Sequence, residues 1–134
     1  MQDDVERLSQ LLRQGGCCAV ALVQMGLEWR GESDPLLLQA AAGLCGGFQG
    51  GLLCGALTGA ACMLNLVAPD ANQVLVPELT EWFKAAMGEQ FGGRDCATII
   101  AGDPLNKPAR CPVVVEATYR QAKEILKSHG YEFH

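Results

Sequence analysis

No Asp, Glu, Lys or Arg occurs between Asp34 and Asp70. Charge is scarce elsewhere too: 10 Lys and Arg stand against 15 Asp and Glu, and no basic cluster appears. A nucleic-acid surface needs concentrated positive charge, so that class is excluded. Histidine occurs twice, as His129 and His134, both near the C-terminal end, where they read as solvated tail residues. No Ser/His/Asp set is evident, and the glycines lack the Lys-Ser/Thr that a phosphate loop requires. No CxxC pair exists, which disfavours zinc knuckles, thioredoxin-type sites and ferredoxin-type runs. The first residues, Met1-Gln2-Asp3-Asp4-Val5-Glu6, have neither the positive region nor the apolar stretch of an export signal. The expectation is a cytoplasmic chain whose thiols are kept reduced.

Small residues and cysteine are abundant instead. Glycine recurs every four residues at Gly43, Gly47, Gly51, Gly55 and Gly59, a spacing that lines up one helix face and lets backbones approach. The chain has seven cysteines, an odd number that excludes complete internal pairing. Its 134 residues, 49% of them apolar, suit one domain spanning residues 1–134 with its own core. The uncharged stretch Leu52–Ala68 holds 17 residues, the lower edge of a membrane span. It also contains Cys54, Gly55, Thr58, Gly59, Cys62 and Asn65 and lacks aromatic and basic flanks. It reads as a buried helix of a bundle, without membrane insertion.

Helical periodicity dominates the remainder. Val5, Leu8, Leu11 and Leu12 mark an amphipathic helix over Asp3–Gln14 that Gly15-Gly16 stops. A second helix runs from the Cys17-Cys18 pair to about Trp29. Ser33 or Asp34 caps a third, with Pro35 in its first turn, running to about Phe48. The fourth covers about Leu53 to Val67. A fifth starts at Pro77 with Glu78 and ends at Gly92-Gly93. Arg94–Ile100 holds a short helical turn with Asp95 as a candidate cap. Asp103–Arg110, with Pro104 and Pro108, reads as a loop, and Cys111-Pro112 opens the last helix, which Gly130 ends. Val113-Val114-Val115 has strand propensity but nothing to pair with. The predicted fold is all-α: a compact bundle of about six helices around a close-packed, glycine-rich central helix pair.

Within that frame four cysteines share a setting. Cys18 follows Gly15-Gly16, Cys54 follows Gly50-Gly51, Cys96 follows Gly92-Gly93, and Cys111 precedes a proline. Each falls at an expected helix N-terminus, where the dipole and free amides stabilise a thiolate. Cys45 and Cys62, flanked by small apolar residues, read as buried fillers of tight contacts. Cys17, beside Cys18, is open to either role.

These residues carry a resemblance. Cys54-Gly55-Ala56-Leu57-Thr58-Gly59 forms a CGAxxG motif, with Cys18-Ala19 before it and Cys96, after Phe91-Gly92-Gly93, and Cys111-Pro112 behind it. The set resembles the small redox-active family named after its C…GCAxxG…C…C pattern, over about residues 16–126. One departure is that Gly55 follows Cys54 here, where the family name writes glycine first. The resemblance implies a redox role, in bacterial and archaeal settings, and carries the family's four cysteines onto Cys18, Cys54, Cys96 and Cys111.

Two chemistries follow for these four. They cycle between dithiol and disulfide, for which pairs such as Cys18 with Cys54 or Cys96 with Cys111 would serve. Alternatively they hold an iron–sulfur cluster for electron transfer, with Gly55 and Gly59 letting backbone approach the bridging sulfides. Either use implies a redox partner protein. A structural four-thiolate metal site, and a non-catalytic interaction module dimerising through the glycine-lined helix, are the competing readings.

Overall fold

The structure is a computed structural model and describes residues 4–131. Among the described residues it holds seven α-helices and no strand. They are α1 (Asp4–Arg13), α2 (Cys18–Arg30), α3 (Pro35–Ala41), α4 (Gly55–Val67), α5 (Asn72–Phe91), α6 (Cys96–Ile99) and α7 (Lys107–Ser128). The all-α class therefore holds. No helix among the described residues is long and apolar enough to cross a membrane.

Local chemistry explains most boundaries. Asp34 caps α3 as its side chain accepts from the Leu37 amide at 3.1 Å, and Pro35 follows at the first helical position. Gly92, at φ 86°, ends α5 in the left-handed region. Two prolines lie deeper than expected. Pro77 sits inside α5, which starts five residues earlier at Asn72. Pro112 sits inside α7; the first-turn proline there is Pro108, so the helix begins at Lys107 within the stretch expected to be loop. Proline signals a helix start only if its missing N–H falls in the first turn. In these helices the preceding residues continue the helix backward.

The expected third helix is shorter and breaks earlier. After α3 the chain makes a 3-10 turn (Ala42–Leu44) and a wide turn over Gly47–Gly51. A side chain at Gly47 would meet the Leu52 backbone at 2.4 Å, so the turn closes only over glycine. Phe48 and Gln49, both at φ near 60°, occupy the left-handed region that such residues rarely adopt.

The centre is the α2–α4 pair, the most extensive helix contact in the molecule. A Cβ at Gly59 would lie 2.6 Å from the Ala19 Cα, so this glycine is what permits the two backbones to touch there. α5 and α7 pack against α4, burying Leu75, Leu79, Phe83 and Met87 from one and Val115, Tyr119, Ala122 and Ile125 from the other. Each such large apolar side chain contributes about 1.5–3 kcal/mol on burial. α1 closes the bundle: the Tyr119 hydroxyl donates to Asp4 at 2.9 Å, Lys123 pairs with the same carboxylate, and Arg7 pairs with Glu28 of α2 at 2.7 Å.

Candidate functional site

The N-terminal ends of α2, α4, α6 and α7 converge. Between them lies a cavity of about 320 Å³ whose walls include Cys17, Cys18, Cys54, Cys96 and Cys111. The rest of the wall is mainly apolar, from Leu12, Ile99, Ile100, Pro108, Pro112 and Val114, and Lys107 contributes the cation. All four cysteines singled out by sequence thus reach one chamber from four separate segments.

Each is placed by a local device. Cys17 is the N-cap of α2 and Cys18 its first residue. Cys54 is the N-cap of α4. Cys96 opens the four-residue α6; Asp95 stands at its N-cap but makes no side-chain capping bond. An isolated antiparallel bridge between Leu53 and Asp95 sets these last two segments side by side. The Cys96 amide donates to the Leu52 carbonyl at 2.6 Å and the Cys54 amide to the Arg94 carbonyl at 3.3 Å. Cys111 differs from the other three. It lies in the second turn of α7, one turn beyond Lys107, and not at the helix start that the sequence suggested.

Protonation follows burial more than position. Three helix-start thiols are pushed up and not down. Cys54 rises to about 11, chiefly because burial disfavours its thiolate, although the amides of Ala56 and Leu57 pull the other way. Cys96 is raised, again first by burial, with Lys107 opposing. Cys18 is raised because its thiol donates a hydrogen bond to Cys111 and because it is largely desolvated. Cys111 alone is lowered, to about 7; the bond accepted from Cys18 is the main cause, and the Lys107 ammonium assists. The dipole expectation therefore fails for Cys18, Cys54 and Cys96, since a dipole effect of about 1 kcal/mol or less does not match the cost of burying a thiolate. The one thiolate near neutrality is made by a neighbouring thiol.

The two thiols whose protonation is linked are Cys18 and Cys111, rather than Cys18 and Cys54 or Cys96 and Cys111. Lys107 was not recognised from sequence. Its signal was present: it lies four residues before Cys111, on the same helix face once α7 is extended backward.

Cys17 and Cys45 form a disulfide, with Cα atoms 6.1 Å apart across 28 residues. This corrects two expectations, that the thiols of the chain are all kept reduced and that Cys45 is a simple core filler. Cys45 is buried, as a filler would be, but its sulfur is covalently engaged. Cys62 is half-buried farther along α4, outside the cavity lining, against the Val23, Leu27 and Ala41 cluster, and burial raises its pKa. Gly55 lines the cavity, whereas Gly59 packs against the α2 backbone. His129 contacts Glu78 at 2.8 Å, and His134 lies outside the described residues.

A family model described as "Putative redox-active protein (C_GCAxxG_C_C)" matches residues 16–125, from the turn before Cys17 to Ile125 of α7. The chain belongs to this family. The matched segment contains every cysteine of the chamber. Neither the curated proteins nor the solved structures yielded a match.

Among the described residues no group of three or more His, Cys, Asp or Glu side chains stands close enough to hold a metal ion. As arranged, the four thiols of this C_GCAxxG_C_C member share one cavity without being grouped for a metal ion.

Proposed function

We propose that this chain is a thiol–disulfide redox protein in which Cys111 is the attacking thiolate and Cys18 closes the disulfide. The observation that carries the reading is that Cys18 and Cys111 line one cavity beside Lys107, where Cys18 and the Lys107 ammonium lower Cys111 to about 7. A thiol with a pKa near ambient pH is the best attacking group: it is substantially ionised while keeping its nucleophilicity.

The reaction is a two-electron exchange with a partner's disulfide. The Cys111 thiolate attacks one partner sulfur, an S–S bond to Cys111 forms, and the partner's S–S bond breaks, releasing its second sulfur as thiolate. Cys18 gives its proton to that leaving thiolate and attacks the Cys111 sulfur. The partner departs with one thiol and one thiolate, the latter taking its proton from water, and the chain holds a Cys18–Cys111 disulfide. Cys54 and Cys96, both raised by burial, add no negative charge beside the reacting pair at neutral pH.

The test is titration of the purified protein through thiol–disulfide buffers, with acid quenching, alkylation and peptide mapping. Cys18 and Cys111 should lose alkylation together in a single two-electron transition. Independent loss, or oxidation of Cys111 paired with Cys96, overturns the assignment.

The convergence of four thiols on one cavity also favours a second reading, a metal or iron–sulfur centre held by Cys18, Cys54, Cys96 and Cys111. It requires the sulfurs to draw together, since they are not grouped for a metal as they stand. Visible absorption of anaerobically purified protein, with metal analysis, decides it.

A further inference from the structure

We infer that the Cys17–Cys45 disulfide is a second redox centre that exchanges directly with Cys18 and Cys111, so that electrons pass between two cysteine pairs within the chain. The inference rests on the dithiol reading above and adds to it an internal electron acceptor.

Three observations carry it. First, Cys17 and Cys18 are consecutive, and both are wall residues of the chamber into which Cys111 projects. The disulfide thus offers one sulfur-bearing residue to the nucleophile's own cavity, while Cys45 is buried and outside the lining. That asymmetry selects Cys17 as the atom attacked and Cys45 as the leaving group. Second, the two half-cystines are fixed at the chamber end of α2 and α4. Cys17 is the N-cap of α2, and the Cys45 backbone abuts the first residue of α4, its Cα 3.5 Å from where a Gly55 Cβ would lie. Both half-cystines are thus held against the elements that bear Cys18 and Cys54, within the same end of the bundle as the attacking sulfur. Third, the segment after Cys45 carries stored backbone cost, with Phe48 and Gln49 both left-handed, so the disulfide is anchored beside a turn that gains by relaxing.

The exchange balances within the molecule. The Cys111 thiolate attacks the Cys17 sulfur; a Cys111–Cys17 bond forms, the Cys17–Cys45 bond breaks, and Cys45 leaves as thiolate. Cys18 then transfers its proton to the Cys45 thiolate and attacks the Cys111 sulfur, releasing Cys17 as thiolate. The Cys18/Cys111 pair has lost two electrons and the Cys17/Cys45 pair has gained them. No outside oxidant takes part, and no net proton is released.

The decisive variant is Cys18→Ser, which keeps a hydrogen-bond donor beside Cys111 but cannot complete the second step. With the full chain oxidised by one disulfide, quenched in acid and alkylated, peptide mapping should find a Cys17–Cys111 linkage with Cys45 alkylated in equal amount. A Cys18→Ser protein that shows only Cys17–Cys45, with Cys111 fully alkylated, overturns the exchange. Cys17→Ser/Cys45→Ser, treated with diamide, separates this from failure of the underlying reading. If that double variant forms Cys18–Cys111 while Cys18→Ser never traps Cys17–Cys111, the dithiol pair stands and the internal exchange is wrong. If it forms no Cys18–Cys111 disulfide, both fall.

Discussion

Replacing Gly59 by alanine places one methyl group where the account requires there to be none. The new Cβ would sit 2.6 Å from the Ala19 Cα, 3.1 Å from its carbonyl oxygen and 3.3 Å from its carbonyl carbon. These are backbone atoms, so no rotamer change relieves the contact; α2 or α4 must move by about an ångström. Overpacking of this kind costs about 1–3 kcal/mol, and a backbone clash belongs at the upper end. Against that, alanine is about 1 kcal/mol better than glycine inside a helix. The net is a loss of about 2 kcal/mol. Unfolding entropy of about 2.1 cal/mol/K per residue, over 134 residues, makes each kcal/mol worth about 3.6 °C. Gly59→Ala should therefore lower Tm by about 7 °C in calorimetry. Gly88→Ala is the matched control: that glycine is exposed within α5 and its added Cβ meets nothing within 4 Å. There the propensity gain stands alone, and Tm should rise by about 3–4 °C. Opposite signs from the same substitution isolate packing from propensity. A Gly59→Ala protein melting at or above wild type would refute the close approach of α2 and α4.

Two further predictions concern the sulfurs. The Cys17–Cys45 loop of 28 residues constrains the unfolded chain by roughly 3–4 kcal/mol on chain-entropy grounds, so Cys17→Ser/Cys45→Ser should melt about 10 °C or more below the oxidised wild type. Cys54 is raised from an ordinary 9.0 to about 11, so its stabilisation is complete below pH 9 and disappears as pH climbs through 11. Urea midpoints at pH 8 to 11 should fall by the equivalent of roughly 2–3 kcal/mol more in wild type than in Cys54→Ala, and parallel curves would contradict the burial of that thiol.

The helical class and the meeting of four cysteines were legible because both rest on local signals. Uncharged, small-residue segments with helical spacing have few other ways to bury themselves, and Gly-Gly pairs place the following cysteine at an element's start. Cys18, Cys54 and Cys96 fell where those signals put them. Cys111 did not, because two prolines four residues apart both fit a helix start and only tertiary packing decides that Pro108 is the one used. The electrostatics were misread for a related reason. A helix dipole is visible in sequence, whereas the burial that outweighs it at Cys54 and Cys96, and the hydrogen bond that lowers Cys111, exist only after four segments meet. The Cys17–Cys45 pairing was hidden in the same way: its partners lie 28 residues apart and are brought together by the packing of the turn after α3 against the starts of α2 and α4.

The central claim is that Cys18 holds Cys111 as a thiolate. The most direct measurement is the rate of iodoacetamide alkylation at Cys111, resolved by peptide mass spectrometry, as a function of pH in wild type and in Cys18→Ala. The account predicts a wild-type midpoint near 7 that moves up toward the ordinary thiol value of 9.0 when Cys18 is removed. A wild-type midpoint at 9 or above, or one that Cys18→Ala leaves in place, would contradict it.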